Sequence, residues 1–312
     1  MTTRPAPWTF AKPWGADGWI TDLAGSVHWI EFAGDVSAAA TPIVFVHGLG
    51  GSHVNWVLVG PALARGRRAF ALDLRGFGMT PGAPRSTTIQ ANARLLDAFL
   101  REVVGEPAIV IGNSMGGAIS ILQTDRRPAS VVGLVLVDPA LPAVLRRPDP
   151  LVAGTFLAYL VPGIGEFYMR MTQSRLSPEA MVRRVIELCF ADPTRADPGM
   201  LAAATALARA RRTVPGKEES FLRATRSLMR TLVLPDRYRA MMRAIDVPVL
   251  LINGEADRLV PIEAARQAAA ANPAWDTVFL PGVGHTPQLE TPDLVISAVQ
   301  GWLARTPTTA RG

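Results

Sequence analysis

Short apolar runs alternate along the chain with segments in which apolar residues recur at helical spacing. The apolar runs predict strands near residues 26–32, 43–47, 69–73, 108–112, 132–137, 247–252 and 276–280. The helical spacing predicts helices near residues 87–103, 115–124, 261–271 and 292–304. Strands that alternate with helices in this way are typical of an α/β protein with a mostly parallel, doubly wound sheet.

The strand pattern is interrupted between residues 142 and 240, where apolar residues keep only helical spacing. We therefore predict a helical cap, defined as residues 142–240, inserted into an α/β core. The core then has a first part, residues 1–141, and a second part, residues 241–312. One large domain with an insertion suits a chain of 312 residues, because such a chain is long enough to bury about three quarters of its unfolded surface.

The cap carries the basic excess of the chain. Residues 142–246 contain 17 Lys and Arg against 10 Asp and Glu, whereas the net charge of the whole chain is +6. A basic surface attracts anionic substrates or an anionic membrane, although a solvated arginine-rich face is the simpler interpretation. No helix-turn-helix, zinc or aromatic RNA-binding motif accompanies the charge, so we expect no nucleic-acid partner.

Targeting and redox features favour the cytoplasm. Residues 1–13 lack the apolar core of a signal peptide, and we interpret them as a loose tail, with Trp8, Trp14 and Trp19 as candidates to anchor it to the core. Cys189 is the one cysteine of the chain, which excludes an internal disulfide and suits a reducing compartment. Residues 151–165 are uncharged but too short and too interrupted by glycine and proline to span a membrane. A peripheral membrane contact stays open.

A serine follows the predicted strand near 108–112 and precedes a predicted helix. The residues Gly112-Asn113-Ser114-Met115-Gly116 have the G-x-S-x-G pattern of a nucleophile elbow. The two glycines allow a sharp turn without a Cβ clash, and the helix N-terminus favours the negative charge of acyl transfer. We therefore predict that Ser114 is a nucleophile. The simpler alternative is a glycine-rich connection between a strand and a helix.

A serine nucleophile needs a base, and histidine is the usual one. The chain has four histidines, which are His28, His47, His53 and His285. We favour His285 as the base, because it lies in a loop beyond the predicted strand 276–280, where α/β folds carry catalytic groups. The other three histidines lie in a strand or around a turn, where packing roles are more common.

The third member of a triad is a carboxylate that orients the imidazole. Asp257 follows the predicted strand 247–252, and the chain order Ser114, Asp257, His285 is that of the elbow enzymes. Glu255 and Asp138 are the competing acids, since Glu255 lies in the same turn and Asp138 also closes an apolar strand.

The chain resembles a capped α/β-hydrolase with a serine nucleophile, similar to esterases and lipases. The stretches that carry the resemblance occur in the family's order and spacing and are His47–Ser52, Asp73–Gly78, Gly112–Gly117, Val137–Pro139, Asn253–Asp257 and Gly284–Pro292. The resemblance implies the α/β-hydrolase fold, and it implies an oxyanion hole formed by the backbone N–H groups of Leu49 and Met115. The cap carries no family motif.

Several apolar and aromatic side chains are candidates for the substrate pocket. The candidates near the loop that carries Leu49 are His53 and Trp56, and those in the cap are Phe156, Leu160 and Phe167. A role in the core is an equal alternative.

These observations predict a cofactor-free and metal-free serine hydrolase. Its expected substrate is a small apolar molecule, a carboxylic ester with an apolar acyl or alcohol part. One alternative is a C–C bond hydrolase of ring-cleavage products, which Gly112–Gly117 resembles, although Thr286 replaces the tryptophan usual after the histidine of that group. A second alternative is a hydrolase-like receptor that binds a small ligand with little turnover. The acyl length and the oligomeric state do not follow from the sequence.

Overall fold

The computed structural model describes residues 2–34, 40–142 and 150–306. Within this part of the chain, nine strands form one sheet in the order β1-β2-β3-β5-β4-β6-β7-β8-β9. The strands are β1 Thr3–Pro5, β2 Ala16–Asp22, β3 Ser26–Phe32, β4 Ile43–Val46, β5 Ala69–Leu72, β6 Ala108–Asn113, β7 Val131–Val137, β8 Val249–Gly254 and β9 Asp276–Leu280. The strands β4 to β9 are parallel to one another, while β1, β2 and β3 pair antiparallel at one side of the sheet.

The helices confirm the predicted alternation of strands and helices in the core. Those of the core are α1 Gly60–Leu63, α2 Ile89–Phe99, α3 Met115–Arg126, α10 Ile262–Ala271, α11 Pro287–Glu290 and α12 Pro292–Arg305. A stretch of π-helix, Leu100–Val104, continues α2. The fold is therefore the predicted α/β fold with a mostly parallel sheet.

The parallel strands β4 to β8 are buried on both faces, which explains why they appear in the sequence as continuous apolar runs, whereas the edge strand β9 is exposed at its start. Successive side chains of a strand point to opposite faces. In β4, Val44 and Val46 enter one buried apolar cluster, whereas Ile43 and Phe45 enter another. The two clusters are the cores between the sheet and its two layers of helices.

The N-terminal segment differs from the loose tail that the sequence predicts. Its strand β1 pairs antiparallel with β2, from Thr3 opposite Thr21 to Pro5 opposite Trp19. The Trp19 ring, an expected anchor of this segment, stacks on the Trp29 ring with 5.9 Å between centroids. Because these contacts are made to a strand that follows in the chain, short apolar alternation alone does not reveal them.

The described residues of the predicted cap form helices joined by short loops. Its helices are α4 Pro150–Leu160, α5 Ile164–Arg175, α6 Pro178–Cys189, α7 Pro198–Ala210, α8 Lys217–Val233 and α9 Pro235–Arg243. The last helix ends three residues beyond the predicted boundary at 240, and the start of the cap, residues 143–149, lies outside the described residues. The exact domain division stays a prediction.

Two hydrogen bonds between described residues join the cap to the core. The backbone N–H of Ile89 donates to Ser227 Oγ (2.9 Å), and the Tyr238 hydroxyl donates to the Ala140 carbonyl (3.1 Å). None of the helices in the described ranges is both long and apolar enough to cross a bilayer.

Candidate active site

Ser114 lies at a strained turn between β6 and α3. Its backbone has φ 54° and ψ −120°, a conformation that costs a residue other than glycine about 1–3 kcal/mol. Gly116 is required at this turn, because a Cβ there would lie 2.1 Å from the Val46 carbonyl oxygen. The side chain of Ser114 stays partly exposed while its neighbours are buried. The geometry is that of a nucleophile elbow.

His285 and Asp257 form a buried hydrogen-bonded pair. The distance from His285 Nδ1 to Asp257 Oδ2 is 2.7 Å, and both side chains are almost fully buried. The other carboxylate oxygen, Oδ1, accepts hydrogen bonds from the backbone N–H groups of Leu259 (2.7 Å) and Val260 (3.0 Å). Three donors therefore hold Asp257 as a carboxylate, and Nδ1 of the histidine carries the hydrogen that points to it. This leaves His285 Nε2 to accept a proton.

Asn113 connects the elbow to the histidine loop. Its Nδ2 group donates to the His285 carbonyl (3.2 Å) and to the Val137 carbonyl (3.0 Å). Because Asn113 directly precedes Ser114, these bonds bring the serine and the histidine to the same edge of the sheet. Asn113 was not predicted to have a role of its own, although a polar residue at the end of an apolar strand is the sequence signal that marks it.

The loop after β4 packs against the elbow. A Cβ on Gly48 would lie 3.1 Å from Ser114 Cβ, so the two backbones are in close contact. Neither the Leu49 N–H nor the Met115 N–H donates a hydrogen bond to any residue that the structure describes. Unpaired donors beside a serine are what an oxyanion hole requires.

The two competing acids occupy different environments. Glu255 is exposed and pairs with Arg266 at 2.9 Å, so it does not reach the histidine. Asp138 is fully buried and lies against Asp257. Burial, followed by the neighbouring charge of Asp257, raises the pKa of Asp138 well above its ordinary value. Asp257 is the acid that contacts His285 Nδ1.

Three pocket candidates require correction. His53 is fully buried, with its backbone N–H and its ring Nδ1 both directed at Asp73 (2.7 Å and 3.1 Å to Oδ1). Trp56 is also fully buried, and its ring stacks on Phe45 at 5.0 Å. Phe167 is 62% exposed on the outside of the cap. These side chains belong to the core or to the outer surface, so the structure does not support them as pocket lining.

Phe156 and Leu160 are half-buried on α4 and stay candidates for the pocket. The structure adds Phe221 of α8, whose ring would contact a Cβ on Gly50 at 3.4 Å. Phe221 packs edge-on against Tyr159 (5.3 Å), and Tyr159 packs in the same way against Phe156 (6.2 Å). An aromatic row therefore extends from the loop after β4 into the cap.

The other three histidines are buried and make hydrogen bonds inside the protein. His47 Nε2 accepts the Leu74 N–H (3.0 Å), and burial lowers the pKa of His47 to about 4. His28 and His53 both direct Nδ1 at Asp73 Oδ2, at 2.8 and 3.0 Å. Burial opposes ionisation of Asp73, but the two histidines outweigh it and hold its pKa well below the ordinary value. These distances are those of hydrogen bonds, so a hydrogen on each histidine Nδ1 is enough to hold both rings against Asp73.

Residues 43–298 match the sequence profile of the Alpha/beta hydrolase family, and the chain therefore belongs to that family. It is 28% identical over 285 residues to the dihydrolipoyllysine-residue acetyltransferase component of the acetoin cleaving system of Pseudomonas putida, covering 89% of this chain and 67% of that protein. It is 28% identical to the pimeloyl-[acyl-carrier protein] methyl ester esterase of Aromatoleum aromaticum, covering 80% of this chain and 93% of the esterase.

A third relative is a dienoic acid hydrolase. The chain is 26% identical to 2-hydroxy-6-oxo-6-(2'-aminophenyl)hexa-2,4-dienoic acid hydrolase of Metapseudomonas resinovorans, with coverage of 85% of this chain and 84% of that one. Among solved structures, Cfl2 of Burkholderia cenocepacia superposes with a TM-score of 0.78 at 19% identity, covering 96% of this chain and 99% of Cfl2. The structural likeness supports the α/β-hydrolase fold.

Proposed function

We propose that the protein is a serine hydrolase that cleaves small carboxylic esters with an apolar acyl or alcohol part. The observation that carries the proposal is the strained elbow at Ser114, at one edge of the sheet with the buried His285–Asp257 pair. A strained backbone at a residue other than glycine persists only where the surrounding structure holds it, and such residues cluster at active sites.

In the proposed mechanism, His285 Nε2 takes the proton of Ser114 as Oγ attacks the ester carbonyl. The oxyanion that develops is held by the N–H groups of Leu49 and Met115, each worth about 3 kcal/mol of transition-state stabilisation. The histidine then protonates the leaving alcohol, which gives an acyl-enzyme. Water activated by His285 releases the acid and restores Ser114. Asp257 stabilises the imidazolium in both steps.

The apolar character of the substrate rests on the aromatic row of Phe221, Tyr159 and Phe156. Its first member lies against the oxyanion loop, so an acyl group bound to Ser114 and longer than acetyl meets aromatic side chains. The similarity to a methyl ester esterase supports the reaction class.

The chain's single cysteine supports the proposal that the protein is located in the cytoplasm.

Hydrolysis of a C–C bond is a second candidate, favoured by the similarity to a dienoic acid hydrolase. Both reactions need the same serine and histidine, so the substrates distinguish them. A panel of p-nitrophenyl esters and ring-cleavage dienoates should give the higher kcat/KM with the esters. A preference for the dienoates would replace the ester proposal.

A fluorophosphonate label tests the nucleophile. We expect the label on Ser114 and its loss in Ser114→Ala, together with loss of ester hydrolysis, because only a hydroxyl is removed from the turn. Ser297→Ala, which changes an exposed serine on α12, is the matched control and should label like the unmodified protein. Labelling that persists in Ser114→Ala would place the nucleophile elsewhere.

A further inference from the structure

Asp138 is an acid that the proposed mechanism does not use, although it lies beside the triad. It follows β7 with its backbone at φ 42°, and its side chain is fully buried. Its backbone N–H donates to the Ile252 carbonyl (2.8 Å), and its Oδ1 accepts the Gly254 N–H (2.9 Å). Both bonds are made to β8, the strand that precedes Asp257. The side chain is therefore held in one orientation, against the turn that carries the proposed acid.

The two carboxyl groups are direct neighbours. A carboxylate oxygen of Asp138, a carboxylate oxygen of Asp257 and a ring nitrogen of His285 all lie within 4.8 Å of one another. A hydrogen bond between two carboxyl groups requires a proton on one of them, because ionised carboxylates only accept. Two buried carboxylates this close do not both ionise.

The donors around each group decide which acid holds the proton. Asp257 already accepts from Leu259 N–H, Val260 N–H and His285 Nδ1, so its negative charge is well solvated by the protein. Asp138 accepts from Gly254 alone, and its Oδ2 receives no donor from the described part of the chain. The proton therefore belongs on the Asp138 carboxyl, where it can be donated to Asp257.

We propose that Asp138 is a positioning residue of the triad, a neutral carboxylic acid that donates a hydrogen bond to Asp257 and holds that carboxylate against His285. The inference rests on the proposed function. It assigns Asp138 a different role from the competing triad acid, because Asp138 acts through Asp257 and makes no hydrogen bond to the histidine.

The surroundings of Asp138 keep it neutral. Burial is the largest cause of its raised pKa, followed by the charge of Asp257 and then by that of Glu290. Cys189 of α6 is a further titratable neighbour, and burial raises the pKa of its thiol to about 12, so it adds no charge at neutral pH. With Asp138 neutral, Asp257 is the carboxylate that contacts His285 Nδ1.

The variants Asp138→Asn and Asp138→Ala separate donation from charge. Asparagine keeps both contacts, since its oxygen accepts from Gly254 and its Nδ2 group donates to Asp257. We expect Asp138→Asn to keep kcat within about threefold, and Asp138→Ala to lower kcat by about 10- to 100-fold with little change in KM, as for loss of one hydrogen bond to a charged group. Rescue by asparagine is the signature of a donor.

The pH profile of kcat/KM provides the second readout. Its acid limb reports the histidine. If Asp138 is neutral, Asp138→Asn should have the same acid limb as the unmodified protein. Asp138→Ala should shift the acid limb to higher pH, because Asp257 without its hydrogen-bond donor stabilises the imidazolium more strongly. An ionised Asp138 predicts the opposite for asparagine, a shift to lower pH by about one unit, since a negative charge is removed.

A control variant and the acid limb of Asp138→Asn distinguish the possible outcomes. Asp97→Asn changes an almost buried acid that pairs with Arg127 (2.7 Å) away from the site, and it should leave the pH profile unchanged. If Asp138→Ala fails to fold, the acid limb of Asp138→Asn still decides the question. The inference is overturned if asparagine shifts that limb or loses activity as alanine does, or if alanine behaves like the unmodified protein. Labelling that persists in Ser114→Ala would instead overturn the proposed function.

Discussion

The backbone N–H of His285 donates to the carbonyl of Cys189 across 2.6 Å, which joins the histidine loop directly to the last turn of α6 in the cap. Gly284 makes this approach feasible, because a Cβ there would lie 2.3 Å from the same carbonyl oxygen. The position of the proposed base is therefore coupled to the docking of the cap.

Glu290 reinforces the same contact, and its removal should weaken both stability and turnover. Its buried carboxylate accepts N–H groups from Ala191 (3.1 Å), Asp192 (3.0 Å) and Gly284 (2.7 Å). Glu290→Gln places an amide against these donors, so we expect the free energy of unfolding to fall by about 2–4 kcal/mol and kcat to fall with it. Urea unfolding and ester kinetics measure the two effects.

The matched control for Glu290 is Glu255→Gln, which breaks a surface pair with Arg266 and should cost less than about 1 kcal/mol. Equal small effects of both glutamine variants would show that Glu290 does not hold the histidine loop to the cap.

Asp257→Asn should reduce kcat by about four orders of magnitude with little change in KM, because an amide favours the wrong imidazole tautomer and leaves the imidazolium without its charge partner. Steady-state kinetics on one activated ester give the comparison. Near-normal turnover in Asp257→Asn, with Asp138→Asn strongly impaired, would mean that Asp138 is the triad acid.

Substitutions in the cap should change acyl selectivity. We expect Phe156→Trp and Leu160→Trp to lower kcat/KM for octanoate esters by about 10-fold or more relative to acetate, since a long acyl group passes beneath the cap while acetyl does not. Phe221→Ala should act in the opposite direction by widening the space above the oxyanion loop. Phe167→Trp, on the outer surface, is the control. Equal losses on acetate, butyrate and octanoate would assign these residues to the core.

His47 should make stability depend on pH between about 4 and 6.5. Its pKa is lowered from 6.5 to about 4 by burial, so the unfolded chain binds a proton in this window while the folded protein does not. Stability is therefore lost as pH falls from about 6.5 towards 4, by up to about 3 kcal/mol. Urea midpoints at pH 4.5–7.5 should show a weaker dependence in His47→Gln. The same slope in both proteins would contradict the assignment.

The candidate site could be predicted from the sequence where its residues follow strands that are buried on both faces. Continuous apolar runs reveal such strands, and the residue after each run lies at the carboxyl edge of the sheet. Ser114 and Asp257 were predicted in this way, and the glycines around Ser114 follow from the steric limits of a sharp turn. His285 follows the partly exposed edge strand β9 and was predicted by comparing the positions of the four histidines.

The sequence by itself thus determined the α/β class, the helical character of the insertion and the order of the candidate triad, because these depend on local spacing and on backbone sterics. Tertiary structure alone decided that His53 and Trp56 are fully buried and that Phe221 lies close to Gly50 in the loop after β4. It also decided that Asp138 meets Asp257. These contacts join segments far apart in the chain, and side-chain pairing across such distances leaves no periodic signal in the sequence.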